Sequence, residues 1–104
     1  VTDECNVEPL VAAILAEALW DDAFYTAITV DSEADQMARR AVLTEYFRYS
    51  LREGYQIGIV IIPDGDPYGA AIWTLPQPLD VARQAAEAKH ASFATLLGPR
   101  GFDN

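Results

Sequence analysis

The spacing of apolar positions changes twice along the chain. In "NVEPLVAAILAEALW", Val7, Leu10, Val11, Ile14, Ala18 and Leu19 recur at three- and four-residue steps, the period of a helix that buries one broad face. The pattern predicts a helix from about 7 to 20, with Asn6 as its cap and Pro9 in its first turn, where a missing N–H costs nothing. The mixed segment "DDAFYTAITVD" predicts a second short helix or a turn, with Phe24, Tyr25 and Ile28 facing inward. Ser32, ahead of Glu33, Ala34 and Asp35, has the form of a cap with an acidic first turn. Met37, Ala41, Leu43, Tyr46, Phe47, Ser50 and Leu51 then predict the longest helix, from about 33 to 53, with Gly54 as its stop.

Beyond Gly54 the texture changes. "YQIGIVII" is rich in β-branched residues and short for a helix, "PDGDPYG" is turn chemistry, and "AAIWTL" is a second strand. Alternation sends Ile57, Ile59 and Ile61 to one side and Val60 and Ile62 to the other, so both faces of this hairpin are apolar and both require cover. Pro76 and Pro78 lack ladder donors and end the second strand. "LDVARQAAEAKHASFATLL" then predicts a helix whose apolar side is Leu79, Ala82, Ala86, Phe93, Leu96 and Leu97, ending at Gly98 and Pro99. The fold expected is α+β, with three main helices plus a short helix around an antiparallel β-hairpin, in a single domain over residues 1–104. A lone hairpin is marginal and has free edges. The strands are therefore expected to belong to a larger sheet, completed by further residues or by a second copy of the chain.

Charge narrows the partners. The formal net charge of -9 argues against nucleic acid and against anionic membranes, both of which attract Lys and Arg. No apolar run has the length of a membrane span, and no basic leader precedes an apolar segment. Cys5 is the sole cysteine, which leaves no internal disulfide. Together these features predict a cytoplasmic protein. Residues 1–35 carry nine carboxylates and no Lys or Arg. Two readings stay open: solvated helix ends and loops, or an acidic rim beside a site for an amine.

Candidate chemistry is sparse. Asp64 and Asp66 alternate in the turn, but the calcium-loop pattern is incomplete and lacks its closing Glu. With one His (His90) and one Cys, zinc has no ligand set, and no Ser sits in a nucleophile-elbow motif. His90 reads as a helix-surface residue or, alternatively, a general base. Gly54, Gly58, Gly65 and Gly69 form neither GxGxxG nor GxxxxGK, so no phosphate cradle is legible. The aromatics suffice to build either a core or a pocket wall. Trp73, a large ring near a strand end before "LPQP", is the best single candidate for the latter.

Three stretches carry a resemblance. "AEALWDDAFYTAI", "YFRYSLREGY" and "GIVIIPDGDPYGAAIWTLPQP" resemble, in order and spacing, the N-terminal half of a GCN5-related (GNAT) N-acetyltransferase of the branch that includes puromycin acetyltransferase. The similarity spans roughly residues 7 to 98. It implies a partial acetyltransferase sheet and the acceptor side of an enzyme that transfers acetyl from acetyl-CoA to an amine. In that family a later Gly-rich turn of the form Q/RxxGxG/A holds the cofactor pyrophosphate. The sequence contains no such motif, no first strand beyond the poor substitute "VTDECN", and no proline of the usual "DP" pattern in "DDAFYTAI". The implied chain is an acceptor-side portion, inactive by itself, with acetyl-CoA the cofactor of the complete enzyme only. Its partner is the C-terminal half of the fold or a second copy meeting it through sheet edges. By position, the resemblance assigns Phe24, Tyr25 and Trp73 to the substrate-binding wall and no catalytic residue. The alternative is a non-catalytic binding or dimerisation domain.

Overall fold

The computed structural model describes residues 4–62 and 69–103, with side chains from Glu8 onward. The expected turn through Asp64 and Asp66, and the side chains of Cys5, Asn6 and Val7, lie outside the described residues. The elements run α1 (Glu4–Ala18), α2 (Ala23–Ile28), a 3-10 turn (Val30–Ser32), α3 (Gln36–Ile57), β1 (Gly58–Ile61), β2 (Ala71–Thr74) and α4 (Leu79–Asp103). The α+β class and the three main helices with one short helix beside a hairpin are therefore as the periodicity predicts.

Several boundaries differ, each for a physical reason. Helix α1 begins before Asn6, which lies within it rather than capping it. Pro9 sits in the second turn, where its missing N–H forgoes a helical bond. Two aspartates are the caps that start the next helices. Asp22 accepts from Phe24 N at 2.9 Å, and Asp35 accepts from Met37 N and Ala38 N at 3.0 and 3.2 Å. Helix α3 thus starts at Gln36, and Ser32 instead closes the 3-10 turn.

Gly54 does not stop α3, which continues to Ile57. Gly54 is buried where the hairpin crosses the helix, and a Cβ there would lie 2.7 Å from Val60 Cγ2 and 2.8 Å from Ile72 Cγ2. A glycine inside a helix costs about 1 kcal/mol relative to alanine. Here it allows helix and sheet backbones to approach. Gly98 does interrupt α4, at φ 76°, with Pro99 after it, but a further helical turn resumes and runs to Asp103. The leading N–H groups of that turn donate to Asp31 Oδ2, from Arg100 at 3.0 Å and from Gly101 at 3.3 Å.

Two apolar clusters hold the elements together. Val11, Ala12 and Ala16 of α1 pack on Leu43, Phe47 and Leu51 of α3, with Val60, Ile62 and Ile72 of the hairpin closing over them. Ile28 of α2 packs on Phe93 and Leu97 of α4. Tyr25 and Tyr46 border both clusters and join them. Between α1, α2 and α3 lies Arg39, only 9% exposed. Its guanidinium donates to Thr29 Oγ1 at 2.9 Å and to the Trp20 carbonyl at 2.7 Å, and it stacks 4.1 Å from the Trp20 ring centroid.

The strands are antiparallel, with Gly58, Ile59, Val60 and Ile61 opposite Thr74, Trp73, Ile72 and Ala71. Alternation is as expected from Ile59 onward, whereas Ile57, expected on the same face of the strand, lies in the last turn of α3; among the described residues only one face of the hairpin is covered. Ile59 and Ile61 are exposed, and Trp73 between them is 61% exposed. Phe24, expected inward, is 52% exposed, because the single turn of α2 turns Ile28 to the core and leaves Phe24 at its rim. Leu79, Ala82 and Ala86 of α4 are likewise exposed, since the first half of that helix overhangs the body and only its second half enters the core.

Candidate functional site

Between α1, the rings of Tyr25 and Phe47 and the inner face of the hairpin lies a cleft of about 310 Å³. Leu15 of α1, Tyr25 of α2, Phe47, Ser50 and Glu53 of α3, and Ala70, Ile72 and Thr74 of the hairpin line it. This volume is at the lower end of the range for small-molecule sites. The wall is aromatic for a structural reason. Tyr25 leans on Phe47, with ring centroids 5.1 Å apart and planes at 52°, and meets Tyr46 edge-on at 5.7 Å. Phe24 abuts Tyr25 edge-on at 5.1 Å and extends this surface outward.

A second depression, about 400 Å³, adjoins the first across the end of β2. Its walls are Ile57, Thr74, Leu75, Pro76 and Gln77 on one side and Ala82, Ala85, Ala86 and Lys89 of α4 on the other. Glu53 and Thr74 line both depressions. The Glu53 side chain is 17% exposed, and Lys89 Nζ stands 3.2 Å from its Oε1. Burial, then neighbouring Tyr25, then the Glu53 charge hold the Tyr46 phenol above its ordinary pKa. Burial followed by Glu53 does the same to Tyr49, and burial followed by Asp22 to Tyr25.

Of the three residues expected to line a binding wall, the structure brings together Phe24 and Tyr25. Trp73 stands apart on the outer face of the hairpin, opposite Ile59, while its neighbours Ile72 and Thr74 face the cleft. His90 is on the exposed surface of α4, edge-on to Phe102 at 4.6 Å. Glu53, Lys89 and Thr74 were not singled out by sequence, and Ser50 was placed on the inward stripe of α3 without a site role. Among the first three, only the position of Glu53 on α3, at helical spacing from Tyr46 and Ser50, carried a signal.

The acidic N-terminal third is also resolved into pairs. Glu8 accepts from Arg48 Nε at 3.3 Å and from Arg52 Nε at 2.7 Å, while Arg40 pairs with Glu17 and Arg100 lies 3.7 Å from Asp31. With Asp22 and Asp35 serving as helix caps, these described carboxylates fasten elements together, and Asp22 also stands close enough to Tyr25 of the cleft to raise its phenol pKa. Among the described residues, no group of three His, Cys, Asp or Glu side chains is placed to hold a metal, and no helix is long and apolar enough to cross a membrane. Compared with family models, curated proteins and solved structures, the chain matches none of them.

Proposed function

We propose that the chain is the acceptor-side portion of an N-acetyltransferase that transfers acetyl from acetyl-CoA to an amine. The observation that carries this reading is the cleft itself, an apolar and aromatic trough from Leu15, Tyr25 and Phe47 to the Glu53 carboxylate. Its walls bury an apolar body and its acidic end attracts a cation. The expected order of helices and hairpin is a second support. A cytoplasmic setting belongs to the same proposal and rests on the single cysteine and the acidic composition.

Three helix starts among the described residues are poorly suited to the pyrophosphate of acetyl-CoA. An anion of that kind needs free N–H groups at a helix start. The starts of α2 and α3 are taken by the Asp22 and Asp35 carboxylates, and the first turn of α4 carries Asp80, whose charge repels an anion. No chemical step is therefore assigned to this chain. Its role is to hold the amine for a thioester presented by another half of the fold.

Thiol release from acetyl-CoA in the presence of amines tests the proposal. The 104-residue chain should show none alone and should gain activity when a polypeptide carrying the cofactor-binding half is added. Turnover by the chain alone would refute the division of labour. Calorimetric titration with a small arylalkylamine should detect binding that Ala70→Phe, which narrows the cleft, abolishes.

One observation favours a non-catalytic binding or dimerisation domain instead. The outer hairpin face exposes Ile59, Ile61 and Trp73 side by side. Under this reading sedimentation shows a concentration-dependent dimer, Trp73→Ser abolishes it, and no amine enters the cleft.

A further inference from the structure

Glu53 is a sheltered carboxylate paired with a partly exposed lysine. It projects from α3 where two depressions meet, and the ammonium facing it belongs to a lysine 36 residues further along the chain. The Lys89 side chain is 41% exposed, so water reaches it from the α4 side. In the same position its Nζ also lies 5.8 Å from the Phe93 ring centroid, a contact it can keep without Glu53. Around Lys89 the first half of α4 is largely exposed, with Ala85 the other residue partly buried against the body between 79 and 92. The ion pair is thus a main fastening of that half-helix. From the opposite depression, an apolar ligand seated against Phe47 and Ile72 would bring its terminal group to the same carboxylate.

We propose that Glu53 is the ammonium-docking residue of the cleft, that its ligand is a primary amine on an aromatic or aliphatic body, and that the ligand's ammonium displaces Lys89 and unfastens the first half of α4. This rests on the acceptor reading above and deepens it. A charged donor on a sheltered carboxylate makes short, strong hydrogen bonds, and a neutral isostere does not. A partly exposed lysine pair is weak and gives way to such a ligand. Amine occupancy thereby becomes a change in the attachment of a helix.

The probe is phenethylamine, with 2-phenylethanol as its uncharged counterpart, titrated by calorimetry while amide hydrogen exchange follows residues 79–92. The amine should bind more tightly than the alcohol and should accelerate exchange in that segment. Lys89→Met and Lys89→Gln should each bind the amine about 2- to 5-fold more tightly, the span expected for freeing a partly exposed ion pair. Glu53→Gln should weaken it about 10-fold or more, as loss of a charge-assisted bond does. If wild-type protein binds the amine and Ala70→Phe abolishes that binding, while the Lys89 and Glu53 variants change nothing, the cleft remains an amine site and the docking role of Glu53 is overturned. If wild-type protein binds no amine, both readings fall. Weaker binding by both Lys89 variants would also overturn displacement, because it would make Lys89 part of the site.

Discussion

Tyr46 of α3 and Phe93 of α4 stack nearly parallel, with ring centroids 4.7 Å apart and planes inclined by 18°. Tyr49 meets the same Phe93 ring edge-on at 5.1 Å. This aromatic contact joins the second half of α4 to α3, beside the packing of Phe93 and Leu97 on Ile28. Phe93→Ala should lower unfolding free energy by about 3–5 kcal/mol, the usual cost of emptying a buried phenylalanine site. Phe93→Leu keeps bulk, loses the ring face, and should cost about 1 kcal/mol. Urea titrations of both variants check the ordering. A near-neutral Phe93→Ala would mean that α4 is not anchored there.

Gly54 inverts a common rule. Replacing a helical glycine with alanine ordinarily stabilises by about 1 kcal/mol. Here the added methyl would meet the Cγ2 methyls of Val60 and Ile72, so Gly54→Ala should destabilise by about 1–3 kcal/mol through overpacking. The sign of the shift in thermal midpoint is decisive.

Among the described residues, the buried Arg39 guanidinium donates to neutral acceptors, Thr29, Thr26 and the Trp20 carbonyl. Arg39→Ala strips a hydroxyl and a carbonyl of their donors and removes the cover from Trp20, for an expected loss of about 2–4 kcal/mol. Arg39→Lys keeps the charge but not the planar fork, and should cost about 1–2 kcal/mol. Equal stability of the lysine variant and wild type would show that the fork is dispensable.

Three tyrosines give the protein an alkaline limit. Tyr25, Tyr46 and Tyr49 all have phenol pKa values raised by folding, chiefly through burial. Their protonated form is thus favoured in the native state. Their contribution is fully present below the unfolded-chain value of about 10 and is lost as pH rises through the folded values. Thermal midpoints should be flat in this respect below about pH 9 and fall above it, and Tyr46→Phe with Tyr49→Phe should flatten the fall. An unchanged slope in the double variant would place the titrating groups elsewhere.

The elements were legible where one face of the chain is apolar at a fixed period, as from Leu43 to Leu51, whereas on α1 the face that buries runs through Val11, Ala12 and Ala16 and leaves Leu10 and Ala18 of the expected stripe exposed. What sequence could not supply was which of two neighbours faces the core. Phe24 and Tyr25 are adjacent on a helix of six residues, too short for periodicity to choose between them. Ile72 and Trp73 point to opposite faces, as neighbours on a strand do, but the inner face is set by α3 crossing beneath the strand, and that places Trp73 away from the cleft. Gly54 read as a stop because its chemistry permits one, while its position answers to a contact with Val60 and Ile72. Glu53 and Lys89 are brought together by the fold alone, and no local spacing joins them.

The clasp of Asp31 on the final turn of α4 has a kinetic meaning. It ties positions 69 and 70 residues apart, more distant in sequence than Lys89 from Glu53 or Arg52 from Glu8. Closing so large a loop exacts chain entropy before any contact rewards it. The α1–α3 pairing and the hairpin can form from nearer neighbours, so the passage beyond Gly98 is placed to join last in refolding and to fray first when the molecule opens.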